Sequence, residues 1–439
     1  MKCSGSYLIA FKQVCLGDYF KFEKGLGYKG EFLAEESDVA LIGMDSHEEG
    51  GGYKEGSEKP YSGPFKEVNE AKPGDVIFAA TDLTQDGHVL GSPLLVPESD
   101  EFQTFIYSHH LLKAFQKKDG FLPEYLYNLY RVEKFRKKAA YADSGTTVRA
   151  LPAEVLEEQV VPLPDLPTQL AINEIVSLID RQIANNKALS RNLEALAQSV
   201  FKSWFIDFDP VHAKKKGENP FGMDAATANL FPNSFVKSGL GDIPKGWEVL
   251  PLDQMCEFLN GLALQKYPPK SKEDRIPVIK IAQLRSGDTS KADQASSGIQ
   301  SKYIIANGDI LFSWSASLLV EHWVSGVGAL NQHLFKVTGK QISNLLSYFY
   351  TKASLRTFQA IASEKATSMG HIQRSHLSDE KYAIPSKDCI EKLSPFIESL
   401  VKQKIQALES NNELKILLER LIPGLIQNEI SVPSELIAS

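Results

Sequence analysis

Residues able to do covalent chemistry are present in this chain, but their spacing does not suit it. His371 and His376 are five apart beside Arg374, whereas a metal pair on one helix face needs a spacing of four. Cys3, Cys15, Cys256 and Cys389 are scattered, with no C-x-x-C pair and no histidine at ligand spacing. That pattern fits a reducing cytoplasm and argues against a zinc site or a disulfide framework. Neither a G-x-x-x-x-G-K-[ST] loop nor a G-x-S-x-G elbow occurs, which removes the usual signs of phosphate-loop and serine-hydrolase catalysis. No metal, no cofactor and no catalytic residue is expected. The side chains that remain of interest bond without reacting: arginine forks, amides, hydroxyls, lysines and one indole on polar loops.

In the first half of the chain these candidates are Lys29, Thr146, Thr147 and Arg149. In the second half they are Lys280, Gln283, Arg285, Trp314, Ser315, Gln373 and Arg374. An arginine can bond a guanine edge bidentately, and a glutamine can do so with adenine. Arg149 and Arg374 lie in matching segments, SGTTVRAL and SMGHIQRS. A solvated surface loop is the competing reading for each residue taken singly. Gly25 and Gly261 also align, and are expected to serve backbone geometry.

Taken alone, the net charge of −7 opposes a polyanionic partner. Its distribution does not. Residues 29–101 hold 17 acids and 5 bases, while residues 112–149 carry 9 bases and 4 acids and residues 262–291 carry 7 and 3. Bound phosphates need local positive charge, not a positive total. Lysines solvating exposed helices are the alternative. No apolar stretch is long enough for a transmembrane helix, and the apolar core of MKCSGSYLIAFKQVC is too short for a signal peptide.

The elements that must position these residues occur twice. LGDYFKFEKGLGYKG (16–30) lines up with LDQMCEFLNGLALQK (252–266), and KPGDVIFAATDL (72–83) with ANGDILFSWSAS (306–317). HHLLKAF (109–115) lines up with QHLFKVT (332–338), and VVPLPD (160–165) with YAIPSKD (382–388). Four matches in the same order imply two copies of one unit and a pseudo-twofold molecule. Short apolar runs at 39–43, 75–80, 277–282 and 309–314 read as strands. The Gly-Asp steps at 74–75 and 308–309 read as turns, and 123–140 and 341–363 as helices.

Each unit ends in a long heptad-patterned helix. Ile172, Ile175, Ile179, Gln182, Asn186, Leu189, Leu193, Leu196 and Val200 recur in 3-4 steps. Ile397, Leu400, Lys404, Ala407, Asn411, Leu414, Leu418, Leu421 and Leu425 repeat the pattern at a constant offset. Sustained heptads imply a coiled coil. A duplicated chain with its domains at opposite ends implies antiparallel helices, with Asn186 facing Asn411. Thr168 is the expected cap of the first helix. Ser394-Pro395 is expected to cap or restart the second, and Pro423-Gly424 to kink or end it. Residues 207–243, rich in Pro, Gly, Asn and Lys, read as a connector. Within it Asn219-Pro220-Phe221-Gly222 resembles the Asn-Pro-Pro-aromatic motif of adenine methyltransferases. It lacks the second proline and has no glycine-rich strand before it, so it reads as a linker turn.

Residues 159–212 carry an LPDLPTQ…I opening, an L-I-D-R-Q-I core and an SWFIDFDPV ending. This stretch resembles the central conserved region of the specificity subunit of type I restriction–modification enzymes. One departure is Thr168, where that family usually has Glu. GDIPKGWEVLPL (241–252) is similar to the family's start of the second target-recognition domain. The resemblance implies an α+β fold with two similar target-recognition domains, at 1–165 and 244–388. These are separated by two long antiparallel coiled-coil spacer helices, at 166–206 and 389–430. It also implies that each domain reads one half of a bipartite asymmetric site on double-stranded DNA. The helices would dock two methyltransferase subunits, joined by restriction/motor subunits, and the subunit itself would be non-catalytic. The alternative is a fused methyltransferase or nuclease carrying its own specificity domains.

Overall fold

A computed structural model describes residues 11–82, 89–140, 149–364 and 370–437. The chain divides into two compact units, one formed by Met1–Gln182 with Leu414–Ser439 and the other by Ile183–Glu413. Each holds one mixed α+β domain and a portion of both long helices.

In the first unit an antiparallel sheet runs in the order Phe20–Lys24, Leu111–Gln116, Val76–Ala79, Pro93–Leu95. A second sheet contains Val39–Ile42 parallel to Thr104–Tyr107. Lys12–Cys15 pairs with Val160–Leu163 and so closes the domain. The second unit repeats this plan. Its first sheet runs Cys256–Asn260, Leu334–Gly339, Ile310–Ser313, Leu319–His322. Ile276–Ile279 lies parallel to Gly328–Leu330, and Glu248–Pro251 pairs with Lys381–Ile384.

The strands form where apolar residues run unbroken. Val76–Ala79 and Ile310–Ser313 are buried throughout, as interior strands covered on both faces should be. Each is launched by a Gly-Asp turn. Gly74 and Gly308 adopt φ of +89° and +88°, a region open to glycine and strained for other residues. The following aspartates accept from the Lys72 and Ala306 amides at 2.8 Å. They also pair with Lys113 at 2.6 Å and Lys336 at 2.7 Å. The duplication therefore extends to individual side-chain bonds.

The first long helix spans Leu166–Phe201, about 54 Å at 1.5 Å per residue. Its cap is Asp165, whose Oδ1 accepts from the Thr168 amide at 3.0 Å. Thr168 sits inside the first turn, which corrects the expected cap by three residues. The second helix spans Lys387–Ile426. Ser386 accepts from the Cys389 amide at 3.4 Å, so Ser394 and Pro395 lie within the helix, neither capping nor restarting it. Pro423-Gly424 falls in the last turn. The helix stops just beyond it, where Asn428 turns left-handed at φ 58° and Glu429 donates to the Gly424 carbonyl at 2.7 Å.

Within the second unit the helical segments run antiparallel. The Asn411 amide donates to the Ile183 carbonyl at 3.2 Å, and Lys404 meets Glu194 at 2.6 Å. Residue numbers thus rise along one helix as they fall along the other. Asn186 and Asn411 are both buried, and Asn411 engages the backbone one turn before Asn186. The seam of the second helix follows the expected positions. That of the first follows them only in part: Ile172 and Asn186 are buried as expected, but Val176, Ile183, Ser190 and Ala197 are each buried one residue beyond an expected position. Leu189 and Leu196 are 47% and 48% exposed. Small residues occupy the tight contact, and the large leucines are displaced outward.

The connector is also more ordered than its composition implies. Val211, Phe231 and Ile243 share the second unit's core with Phe201, Phe205 and Trp247. Lys214, the start of its basic run, donates to the Ala228 and Phe231 carbonyls. Val211, Phe231 and Ile243, with the partly buried Phe208, Met223, Leu230 and Phe235, anchor the segment without any periodic pattern. Among the described residues no helix is long and apolar enough to cross a membrane.

Candidate nucleic-acid interface

The site is built on a close approach between backbones. A Cβ on Gly25 would lie 2.1 Å from the Tyr107 carbonyl oxygen, and one on Gly261 would lie 2.2 Å from that of Asn331. Only glycine permits this distance. Next to each glycine, the Leu26 amide donates to Tyr107 at 2.7 Å and the Leu262 amide to Leu330 at 3.0 Å. The return bonds, His109 to Leu26 and Gln332 to Leu262, are both 2.9 Å. The pinch holds His109-His110 in one domain and Gln332-His333 in the other, at the entry to the central strand.

Each histidine then meets a hydroxyl from the neighbouring strand end. Thr81 Oγ1 and His110 Nδ1 share a hydrogen bond of 3.1 Å, and Ser315 Oγ and His333 Nδ1 one of 3.3 Å. A third segment joins each pair: the Leu151 amide donates to Ala80 at 2.8 Å, and the Ile372 amide to Trp314 at 3.1 Å. These bonds set the correspondence between the two domains. Leu151 matches Ile372, so Arg149 matches Gly370, and Arg374 matches Ala153. The two arginines are therefore not equivalent, although their segments are. The sequence pairing slipped by four residues because nothing but the arginine itself anchored it.

In the second domain the surroundings are aromatic and polar. Trp314 is half-buried and donates from Nε1 to Asn260 Oδ1 at 3.1 Å. Its ring lies 5.7 Å from that of His333 and 6.5 Å from that of His371. Ser315 is buried and forms a backbone bridge with His371. Gln373 is exposed at the head of the helix Arg374–Asp379. Arg374 donates to the Phe258 carbonyl at 3.1 Å, with its guanidinium 5.5 Å from the Phe335 ring centre.

Lys280, Gln283 and Arg285 stand together on a neighbouring element. Lys280 precedes the helix Ile281–Ser286 and pairs with Asp293 at 2.5 Å. Gln283 accepts from the Lys280 amide at 3.3 Å, and Arg285 is exposed in the last turn. The strand before them is tied to the histidine turn by the bond from the Asn331 amide to Ile279, at 3.3 Å.

In the first domain Lys29 is exposed and 3.5 Å from Glu31. The Arg149 backbone pairs with Asp82. Thr146, Thr147 and the Arg149 side chain lie outside the described residues. The His109 and His110 rings are 3.9 Å apart, with Tyr28 6.5 Å from His109. Partial burial, His109 and Lys24 together lower the pKa of His110, which favours the neutral ring. Sequence reasoning missed Thr81, His109, His110 and His333. The signal was available, because the repeat alignment sets Thr81 against Ser315 and His110 against His333. Among the described residues no cluster of histidine, cysteine and carboxylate could hold a metal ion.

The model of the type I restriction modification DNA specificity domain matches this chain twice, over residues 10–195 and 244–410. The chain belongs to this family. Both matched segments hold one glycine pinch and one hydroxyl–histidine pair. A type I restriction enzyme MjaIX specificity subunit from Methanocaldococcus jannaschii is 24% identical over 323 residues, covering 72% of this chain and 71% of the relative. A type I restriction enzyme HindI specificity subunit from Haemophilus influenzae is 23% identical over 410 residues, covering 82% and 85%. The fold is also similar to a crystal structure of a type I restriction–modification system S subunit from M. genitalium. There the TM-score is 0.55 and the identity 12%, over 97% of this chain and 98% of that one.

Proposed function

We propose that this specificity-family chain is the non-catalytic DNA-reading subunit of a type I restriction–modification complex. Each recognition domain engages one half of a bipartite, asymmetric duplex site. Phosphate contacts set position, and side chains at base edges set sequence. The observation that carries this reading is the double occurrence of one loop cluster, in the two segments that match the specificity-domain model. The two clusters share a backbone skeleton and differ in side chains, which suits two readers of different half-sites. Trp314, Ser315, Gln373 and Arg374 are the proposed contacts at the second cluster, with Lys280, Gln283 and Arg285 beside it. Lys29, Thr146, Thr147 and Arg149 are those of the first domain. Two methyltransferase subunits are the proposed partners of the long helices, where Leu189 and Leu196 face outward. Restriction/motor subunits complete the assembly, in the cytoplasm.

The test is methylome sequencing of cells with and without this gene, its partner genes being intact. The expected result is the disappearance of one interrupted, two-part methylation motif on deletion. An unchanged methylome overturns the proposal.

A further inference from the structure

The two loop clusters differ almost everywhere except in one pair of residues. Trp314 stands where the first domain has Ala80, Asn260 where it has Lys24, and His371 where it has Ala150. The hydroxyl–imidazole pair is retained in kind, as Thr81–His110 and Ser315–His333. Both imidazoles are exposed. In each the hydroxyl engages Nδ1 and not Nε2. A second polar side chain stands beside each ring. His109 is 3.9 Å from His110 between ring centres, and the Gln332 amide nitrogen is 3.4 Å from His333 Nε2. Two nitrogens at that distance bond each other poorly. They make a good pair of donors for a single anionic oxygen.

Two readers of different half-sites have no reason to share a base-reading side chain. What both half-sites share is the sugar–phosphate backbone, which carries no sequence information. We infer that Thr81–His110 and Ser315–His333 are matched phosphate contacts, one in each domain. The unlike residues around them, Trp314, Asn260 and His371 in the second domain, carry sequence choice. This inference rests on the DNA-reading function proposed above.

The experiment is selection from a pool of random-sequence duplexes with the full chain, followed by titration of selected and unselected duplexes. Wild type is compared with His110→Ala, His333→Ala and the corresponding glutamine variants, which keep an N–H donor. Unfolding midpoints confirm that each variant is folded. Each alanine is expected to weaken binding to every duplex by about three- to tenfold, the worth of one hydrogen bond. The enriched motif stays the same, and glutamine restores part of the affinity. A motif altered in one half by either alanine overturns the inference in favour of base contact, and unchanged affinity in both overturns it outright. Wild type that binds with imidazole-dependent affinity yet enriches no motif removes the sequence-reading function and leaves the backbone contact standing. Wild type that binds no duplex removes both.

Discussion

His322 is buried in the second unit, its ring centre 4.1 Å from that of Tyr348, and neither ring nitrogen has a hydrogen-bond partner. Burial, reinforced by Lys404 and Lys352 against the opposing pull of Glu194, lowers its pKa to about 3. Unfolding returns it to about 6.5. The folded state therefore favours the neutral ring. The resulting stability is complete above pH 6.5 and is lost as pH falls toward 3. At pH 5 the loss is on the order of 2 kcal/mol. Chemical denaturation of wild type and His322→Gln between pH 8 and 5 checks this. The variant is expected to lose less stability over that range. Parallel curves would mean that His322 does not contribute. No motif in the sequence marked this residue, because burial of a lone histidine depends on what the fold packs around it.

Three elements meet at Glu194, which lies on the first long helix. Lys404 of the second helix reaches it at 2.6 Å, Lys352 of the domain helix Asn344–Ala353 at 2.9 Å, and the Tyr348 hydroxyl at 2.7 Å. Burial raises its pKa, but the two lysines outweigh that and bring it down to about 2. Removing only the carboxylate leaves the buried Lys404 with a single, partly exposed counter-charge, Glu321 at 3.8 Å. Glu194→Gln is expected to cost about 3–5 kcal/mol, whereas the double replacement Glu194→Leu with Lys404→Met is expected to be near neutral. Equilibrium unfolding of both variants decides, and equal destabilisation of the two would refute the argument. The legibility of elements varied with the same physics. The second helix's seam could be read because Ile397, Leu400, Ala407, Leu418 and Leu425 are buried at the heptad positions, although Phe396, Ile416 and Leu417 of the same helix are exposed. The first helix misled because Ser190 and Ala197 fill the tight contact, and a hydrophobicity pattern selects Leu189 and Leu196 instead. The strands at 76–79 and 310–313 were plain as unbroken apolar runs. The connector's packing was not, since Val211, Phe231 and Ile243 follow no period. At the candidate site, Trp314 and Ser315 were singled out as loop residues following a strand, and the histidines beside them lay unused in the repeat alignment.

At the scale of the whole chain, the repeat makes recognition modular under the proposed function. Replacing residues 1–165 with the equivalent domain of a relative is expected to change one half of the methylation motif and leave the other half intact. Methylome sequencing of the exchanged strain checks this, and a change in both halves would defeat the two-reader account. The glycine pinch extends the point from engineering to descent. At Gly25 and Gly261 main chain lies against main chain, with no side chain between. The turn geometry is thus held by atoms that every amino acid possesses. Most substitutions nearby leave those atoms alone, so the loop side chains can change while the turn geometry beneath them persists. A gene built this way can acquire a new target by neutral drift followed by selection. The cost is two positions that cannot drift at all, and the two domains, now unlike in most of their loop residues, still agree at both.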